Sequence, residues 1–248
     1  MRNTRSRRGM VPLGLALGMS LLPGVAAAQS STDPAWSAGG SVTAATDYVW
    51  RGVSQTDEDP ALLLDLYAAH QSGWYVGASA ANVDFGDPED GMDYELSPYI
   101  GWAGELGATE LDVFVSRVMY PGANDGYDID YTEIEATLGF ADYYHVGVAY
   151  SPDIFNLGEP GWYYNAGAAW PMGGSGITLA VQAGHYDLRD AGGDSYNDWL
   201  VGLSREMGPF NVQLQYTDTS SYGEPLGDSV GDPALADGRT TLLVSWEF

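Results

Sequence analysis

Beyond about residue 40 the chain is a series of stretches of about ten residues in which every second side chain is apolar. The connectors between them alternate strictly between short and long. The clearest stretch closes the chain: Leu242, Val244, Trp246 and Phe248 fall on one face, Thr241, Ser245 and Glu247 on the other, with Leu243 the one exception. Ile134, Ala136, Leu138 and Phe140 stand likewise against Glu133, Glu135 and Thr137, and Val212, Leu214 and Tyr216 against Asn211, Gln213 and Gln215. A period of two is that of a strand with two different surroundings. A water-soluble sandwich also alternates, but it has no reason to keep short and long connectors in strict turn. The pattern therefore predicts an all-β fold, a transmembrane antiparallel up-and-down β-barrel whose strands face lipid on one side and a lumen on the other.

Turn chemistry and alternation together give strands over 41–52, 61–70, 73–82, 93–103, 109–120, 130–140, 143–151, 161–171, 176–186, 196–205, 209–217 and 239–248. That is an even set of about twelve, as a closed bacterial barrel requires. The short connectors are 70–73, 104–108, 141–142, 172–175 and 206–208; the long ones are 53–60, 83–92, 121–129, 152–160, 187–195 and 218–238. With both termini in the periplasm, the short set faces the periplasm and the long set the outside. Acids follow the same parity: they crowd the long connectors, whereas the short turns hold Glu105, Asp142 and Glu206.

The N-terminus is a targeting segment. Arg2, Arg5, Arg7 and Arg8 precede an apolar run over 10–25 and the small-residue exit Ala26-Ala27-Ala28. This is the layout of a cleaved secretory signal, too short and wrongly flanked for a membrane helix. The chain divides into a signal peptide over 1–28, a short periplasmic tail over 29–39 and the barrel over 40–248, destined for the outer membrane of a Gram-negative bacterium. Processing removes four of the nine basic residues and none of the 34 acids, so the exported chain is more acidic still than the net −25 of the whole. Lysine is absent. Such a charge excludes nucleic acid as a partner, because that contact needs a positive patch. The zero cysteine count suits an exported destination.

Tryptophans mark both ends of the strands. Trp50, Trp162 and Trp199 fall near the outer ends, and Trp74, Trp102, Trp170 and Trp246 near the inner ends, as expected of aromatic girdles at the two membrane interfaces. The terminal Phe248, on an alternating last strand, is read as the signal to the barrel-assembly machinery. Outer-membrane lipids and lipopolysaccharide are the expected surroundings.

Two motifs resemble a known family. Asp47-Tyr48-Val49-Trp50-Arg51-Gly52-Val53-Ser54-Gln55-Thr56-Asp57, followed by Asp59-Pro60-Ala61, is similar to the N-terminal motif of the TorF-type putative porins of proteobacteria. Gly73-Trp74-Tyr75-Val76-Gly77 through Ala81-Asn82-Val83-Asp84-Phe85-Gly86-Asp87 resembles their second motif, and Tyr120-Pro121-Gly122 a later one. The resemblance is strongest over 41–151. It implies a porin-like outer-membrane protein and brings no catalytic residues.

Parity places Asp47, Asp65, Glu95, Asp112, Glu133, Glu135 and Glu247 in the lumen against Arg51 and Arg239. Rings of carboxylates ease cation entry and hinder anions, so the expected function is passive diffusion of small hydrophilic solutes with a preference for cations. Arg51 is expected to pair with inward acids and narrow the pore. The alternative is an outer-membrane anchor or receptor, its lumen plugged by neutralising charges and its acidic loops, 218–238 above all, binding a ligand. Asp84, Asp87, Glu89 and Asp90 cluster hard oxygen ligands but do not match the twelve-residue calcium loop, so weak surface binding of divalent cations is the most they suggest. Arg117 and Arg205 fall on the lipid face near strand ends, where long side chains snorkel. His70-Gln71-Ser72 places a histidine beside a serine, but in a short turn without an evident orienting group. The chain is accordingly read as no enzyme, with no cofactor.

Overall fold

The computed structural model describes residues 35–248; the predicted signal peptide and residues 29–34 of the predicted tail lie outside them. Twelve strands close into one antiparallel barrel: β1 (Trp36–Ala45), β4 (Ala61–His70), β5 (Trp74–Asn82), β6 (Tyr94–Leu106), β7 (Thr109–Val118), β8 (Tyr131–Phe140), β9 (Tyr144–Ser151), β10 (Gly161–Pro171), β11 (Ile177–Leu188), β12 (Asp194–Met207), β13 (Phe210–Ser220) and β14 (Arg239–Glu247). Two further strands, β2 (Val49–Trp50) and β3 (Val53–Ser54), form a separate hairpin. Each barrel strand pairs with its neighbours in sequence, and β1 shuts the ring by pairing with both β4 and β14. The last rung of that seam is mutual: Gly40 donates to the Phe248 carbonyl at 2.9 Å and Phe248 donates back at 3.0 Å. Closure leaves no unpaired edge, which is what allows a sheet to stand in hydrocarbon.

The distribution of side chains is that of a transmembrane barrel, apolar outside and polar within. Leu62, Ile100, Ile134, Val146, Leu203 and Leu214 are each at least 43% exposed, while the alternate positions Asp65, Glu133, Gln215 and Thr241 are buried. In water that outer surface would cost about 1.5–3 kcal/mol for each such side chain left unburied, far more than a soluble monomer tolerates. Trp74, Trp162, Trp199 and Trp246 are exposed and Trp102 and Trp170 partly so; Trp74, Trp162, Trp170 and Trp246 stand at or next to the ends of their strands, and Trp102 and Trp199 further in. Arg117 and Arg205 are exposed on the outside as predicted.

The parity of connectors also holds, with shifted bounds. Five tight turns at one end contrast with longer excursions at the other. Two of the predicted long loops are shorter and more ordered than the sequence suggested. Residues 187–195 reduce to one turn of helix, α1 (Arg189–Gly192), because β11 and β12 pair out to Leu188 and Asp194. Residues 221–238 carry α2 (Glu224–Ser229) and a 3₁₀ turn over Pro233–Ala236. Leu226 of α2 is fully buried, and burial, with help from Asp232, pushes the Tyr222 phenol up to about 12.

The first strand departs most. The predicted strand 41–52 is instead Trp36–Ala45, so Trp36–Gly39, assigned to the tail, already pair with β4. Ser37, Ala38, Gly39 and Gly40 gave no apolar alternation by which to see this. After Ala45 the chain turns inward rather than continuing along the wall.

Four glycines inside the strands share one explanation. Tyr99 on β6 donates to Asp65 on β4 at 2.8 Å, lying across Gly77 of the intervening β5. Tyr75 on β5 donates to Asp112 on β7 at 2.7 Å across Gly101 of β6, and Tyr163 on β10 to Asp198 on β12 at 3.1 Å across Gly184 of β11. His145 on β9 meets Gln182 on β11 at 3.2 Å across Gly167 of β10. A Cβ at any of these four glycines would fall under 3.0 Å from the overlying ring. Each aromatic side chain thus lies flat on the inner wall as a strap joining alternate strands, and only a residue without a side chain fits beneath it.

Replacing Gly101 with Ala is expected to destabilise the barrel by about 1–3 kcal/mol through forced displacement of Tyr75. Gly139→Ala, on the same inner face with its nearest neighbour at 3.6 Å, is expected to be near neutral. Urea unfolding of the two variants in detergent micelles or vesicles checks the contrast, and equal midpoints would remove the strap argument.

Candidate functional site

The segment between β1 and β4 supplies the centre of the lumen. It leaves the wall at Ala45 and returns at Ala61, which face each other as paired residues. Within it β2 and β3 form a hairpin with Arg51 and Gly52 at the turn, at φ +48° and +83°. Two central residues with positive φ make the tight hairpin turn whose twist suits the flanking strands. Glycine adopts that conformation freely, whereas Arg51 does so under strain. The hairpin binds itself together: Ser54 and Thr56 donate to Asp47 Oδ1 at 2.7 and 3.0 Å, Tyr48 N–H donates to the Thr56 hydroxyl at 3.1 Å, and Gln55 N–H to the Tyr48 carbonyl at 2.7 Å.

The turn aims Arg51 across the barrel. Its guanidinium makes a two-pronged contact with Glu133 of β8 at 2.7 and 3.0 Å and stands 3.9 Å from Glu135. It also lies 4.2 Å from the ring centres of Trp50 and Tyr163 and 4.7 Å from that of Tyr186. Arg51 and Glu133 side chains are each only 4% exposed. A guanidinium keeps its charge in such a place and its planar fork suits both the carboxylate and the rings. Gly52 presses the opposite wall, where a Cβ would come within 2.6 Å of Thr219 and 2.9 Å of Asp198. At the base of the hairpin Arg239 ties down Asp47 at 3.1 Å and Glu58 at 3.6 Å.

Around this hairpin the long-loop half of the lumen is packed like a protein core. Tyr186, Tyr196, Ile154, Leu188 and Leu226 are at most 2% exposed, and Tyr48, Tyr120, Tyr131 and Tyr163 at most 5%. Trp50 belongs to this packing, edge-on to Tyr186 at 5.8 Å and to Phe155 at 6.2 Å. It is therefore not part of the outer girdle, as the sequence suggested, because the chain carrying it has left the wall.

The predicted lumen residues all face inward, in three settings. Asp47 and Arg51 do so from the hairpin, not from a strand, and Arg239 from the first position of β14. Glu95 and Glu133 are sealed in the packed half, Glu95 taking hydrogen bonds from Tyr120 at 3.1 Å and Ser97 at 3.3 Å. Asp65, Asp112, Glu135 and Glu247 occupy the middle and the short-turn end. Of these only Glu135 has an arginine near it, Arg51 at 3.9 Å; Asp65, Asp112 and Glu247 have none, since Arg239 is held at the hairpin base, Arg117 and Arg205 are outside and Arg189 is in α1. The second carboxylate oxygens of Asp112 and Asp198 have no donor among the described residues. Asp198 and the ring of lumen tyrosines went unpredicted, since alternation alone does not say which inward residues meet.

Other candidates disperse. Asp84, Asp87 and Asp90 each accept the backbone N–H two residues on, at 2.7–2.9 Å, so each closes its own turn; no group suited to a metal ion is found among the described residues. His70 Nδ1 lies 2.7 Å from the Ser72 hydroxyl, but the same nitrogen accepts the Ser72 N–H at 3.2 Å and the ring rests on Trp36 at 4.9 Å. That is a capped turn, its basic nitrogen already occupied.

A family profile matches residues 27–241, described as a bacterial protein of unknown function (Gcw_chp). The chain belongs to this family. No curated protein matches it. Among solved structures it is similar to the KdgM porin, at TM-score 0.52 and 7% identity over 85% of this chain and 99% of that one. It is similar also to the KdgM porin in complex with disordered oligogalacturonate, at 0.52 and 7% over 86% and 98%. An outer-membrane channel from Pseudomonas putida F1 aligns at 0.47 and 9% over 86% and 95%. At these identities the likeness is one of fold.

Arg51→Ala strips a buried carboxylate of its partner and is expected to cost about 3–5 kcal/mol. Arg51→Lys is expected to recover only part of that, since the ammonium makes neither the fork nor the ring contacts. Unfolding midpoints of the two variants in detergent measure the difference.

Proposed function

We propose that this member of the Gcw_chp family is a porin-like channel of the outer membrane that passes small hydrophilic solutes and prefers cations. The observation that carries the reading is the unbalanced charge of the inner wall: Asp65, Asp112, Glu135 and Glu247 line the middle and short-turn half, and only Glu135 has an arginine near it, Arg51 at 3.9 Å. Carboxylates in a narrow low-dielectric passage lower the entry barrier for cations and raise it for anions. The apolar exterior supports a membrane position, the signal-like N-terminus supports export, and the motif resemblance to TorF-type porins points the same way. The exposed Phe248, fixed on the closing seam, suits the role of assembly signal, and the acidic long loops suit bridging through divalent cations to lipopolysaccharide.

The solute differs from that of the structural neighbour. Oligogalacturonate, named for the KdgM complex, is a polyanion, and this acidic wall repels it. One observation favours a second reading, a sealed barrel that anchors ligand-binding acidic loops: the long-loop half is filled to the exposure of a protein core.

In planar bilayers under a salt gradient, the purified protein is expected to show a reversal potential shifted toward the cation, and Asp65→Asn with Asp112→Asn and Glu135→Gln to shift it back. A preference for anions would overturn the reading.

A further inference from the structure

We infer that residues 46–60 form a displaceable plug, a preassembled hairpin held in the lumen by two arginine clamps and able to leave it without unmaking the barrel. The inference rests on the channel reading and adds the device that controls it.

Three features carry it. The first is that the segment is not needed for closure. Ala45 and Ala61 are paired neighbours on β1 and β4, and the ladder between those strands runs on unbroken from there to Trp36 and His70. The second is that the segment is a unit. Its own hydrogen bonds join Asp47, Tyr48, Ser54, Gln55 and Thr56, whereas its backbone bonds to the rest of the protein are few and lie outside the hairpin's tip: Thr46 N–H to the Leu242 carbonyl at 3.0 Å, and Asp84 N–H to the Gln55 carbonyl at 2.8 Å, where Thr56 and Asp84 form a single bridge. The third is how its tip is held. Across the lumen it meets β8, β10, β11, β12 and β13 through side chains alone: Arg51 on Glu133 and Glu135, the rings of Tyr163 and Tyr186, and Gly52 against Asp198 and Thr219. Strand ladders are cooperative and hold until the sheet opens, whereas the tip is fastened by one ion pair and by ring packing of Trp50 on Tyr186 and Phe155, contacts that part without breaking any backbone bond of the wall.

The clamps are also of unequal character. Arg51 and Glu133 are sealed from solvent, so salt screens them little. At the base, Arg239 holds Asp47 in a buried pair at 3.1 Å and also reaches Glu58, whose side chain is 63% exposed; only the second contact weakens with ionic strength. Salt therefore loosens the Glu58 side of the hinge alone, and release of the tip is controlled at Arg51. In the seated position the hairpin occupies the middle of the packed half, and its departure removes Tyr48, Trp50 and Arg51 together from the passage.

The test compares two proteins in planar bilayers: the full chain, and a variant in which 46–60 is replaced by Asn-Gly, a two-residue turn that joins a paired rung such as Ala45 and Ala61 directly. The variant is expected to conduct several-fold more than the full chain. A further variant, Glu133→Gln, removes the counter-charge of the Arg51 guanidinium and is expected to open more often than the full chain. Equal currents from the full chain and the turn variant, or equal opening of the full chain and Glu133→Gln, overturn the plug while leaving a channel. Silence from both the full chain and the turn variant, each folded as judged by heat-dependent gel migration, overturns the channel and the plug with it.

Discussion

Everything in this molecule follows from closing a sheet in a medium that offers no hydrogen bonds. A strand in hydrocarbon has to find partners on both sides for every N–H and C=O, and the only finite arrangement that supplies them is a ring. The seam between β1 and β14 is the costly step, because it joins the two ends of the described chain. It is secured by mutual backbone bonds between Gly40 and Phe248 and by the Thr43 and Ser245 hydroxyls at 2.8 Å on the inner face. Once the ring is closed, the two-residue period sorts the side chains without further instruction: one set meets lipid, the other must fill or line a tube.

Filling that tube is a problem of curvature. Twelve strands enclose more space than inward side chains reach across, and the chain meets this differently in its two halves. In the middle and the short-turn half, rings lie flat along the wall over glycines, so that Tyr75 and Tyr99 stiffen it by linking alternate strands. In the long-loop half, extra chain is folded in. Ile154, Leu226 and the hairpin at 46–60 supply the apolar volume that the wall lacks. Carboxylates serve both halves, as anchors for tyrosine hydroxyls and as the counter-charge of Arg51.

How far this was legible depends on which physical signal each residue emits. The lipid face is written plainly: Ile134, Leu214 and Leu242 alternate with polar residues, and Phe248 continues the series. The inner face is not, because inward positions hold whatever fits. Leu243 broke the polar pattern of its strand and is only 2% exposed, an apolar residue serving the packed lumen. Tyr48, Val49 and Trp50 look like a lipid-facing strand and are lumen filling, since hydrophobicity reports removal from water and not which apolar surroundings receive the side chain. The Arg51-Gly52 pair was the available clue, being a tight-turn sequence within what was read as the end of a strand. The strand glycines gave no clue at all: what they accommodate comes from a neighbouring strand, and Tyr99 and Asp65 are brought to either side of Gly77 only by the register.

Arg51 shows why a charge is used where a hydrophobic side chain would seal as well. Burying an ion pair yields little net stability over apolar residues of the same shape, because desolvation offsets the attraction. A tip made only of apolar groups would bind by area and without preference for one position. The guanidinium fork fixes both place and angle through two contacts to Glu133, and its plane is shared among three rings. It also makes partial withdrawal unfavourable, since a slight movement breaks the carboxylate contact before water arrives to replace it. A clamp of this kind favours two positions, seated or released, over a continuum between them. The same Glu133 that holds the hairpin when seated becomes, once Arg51 has left, another uncompensated carboxylate on the wall of an already acidic passage.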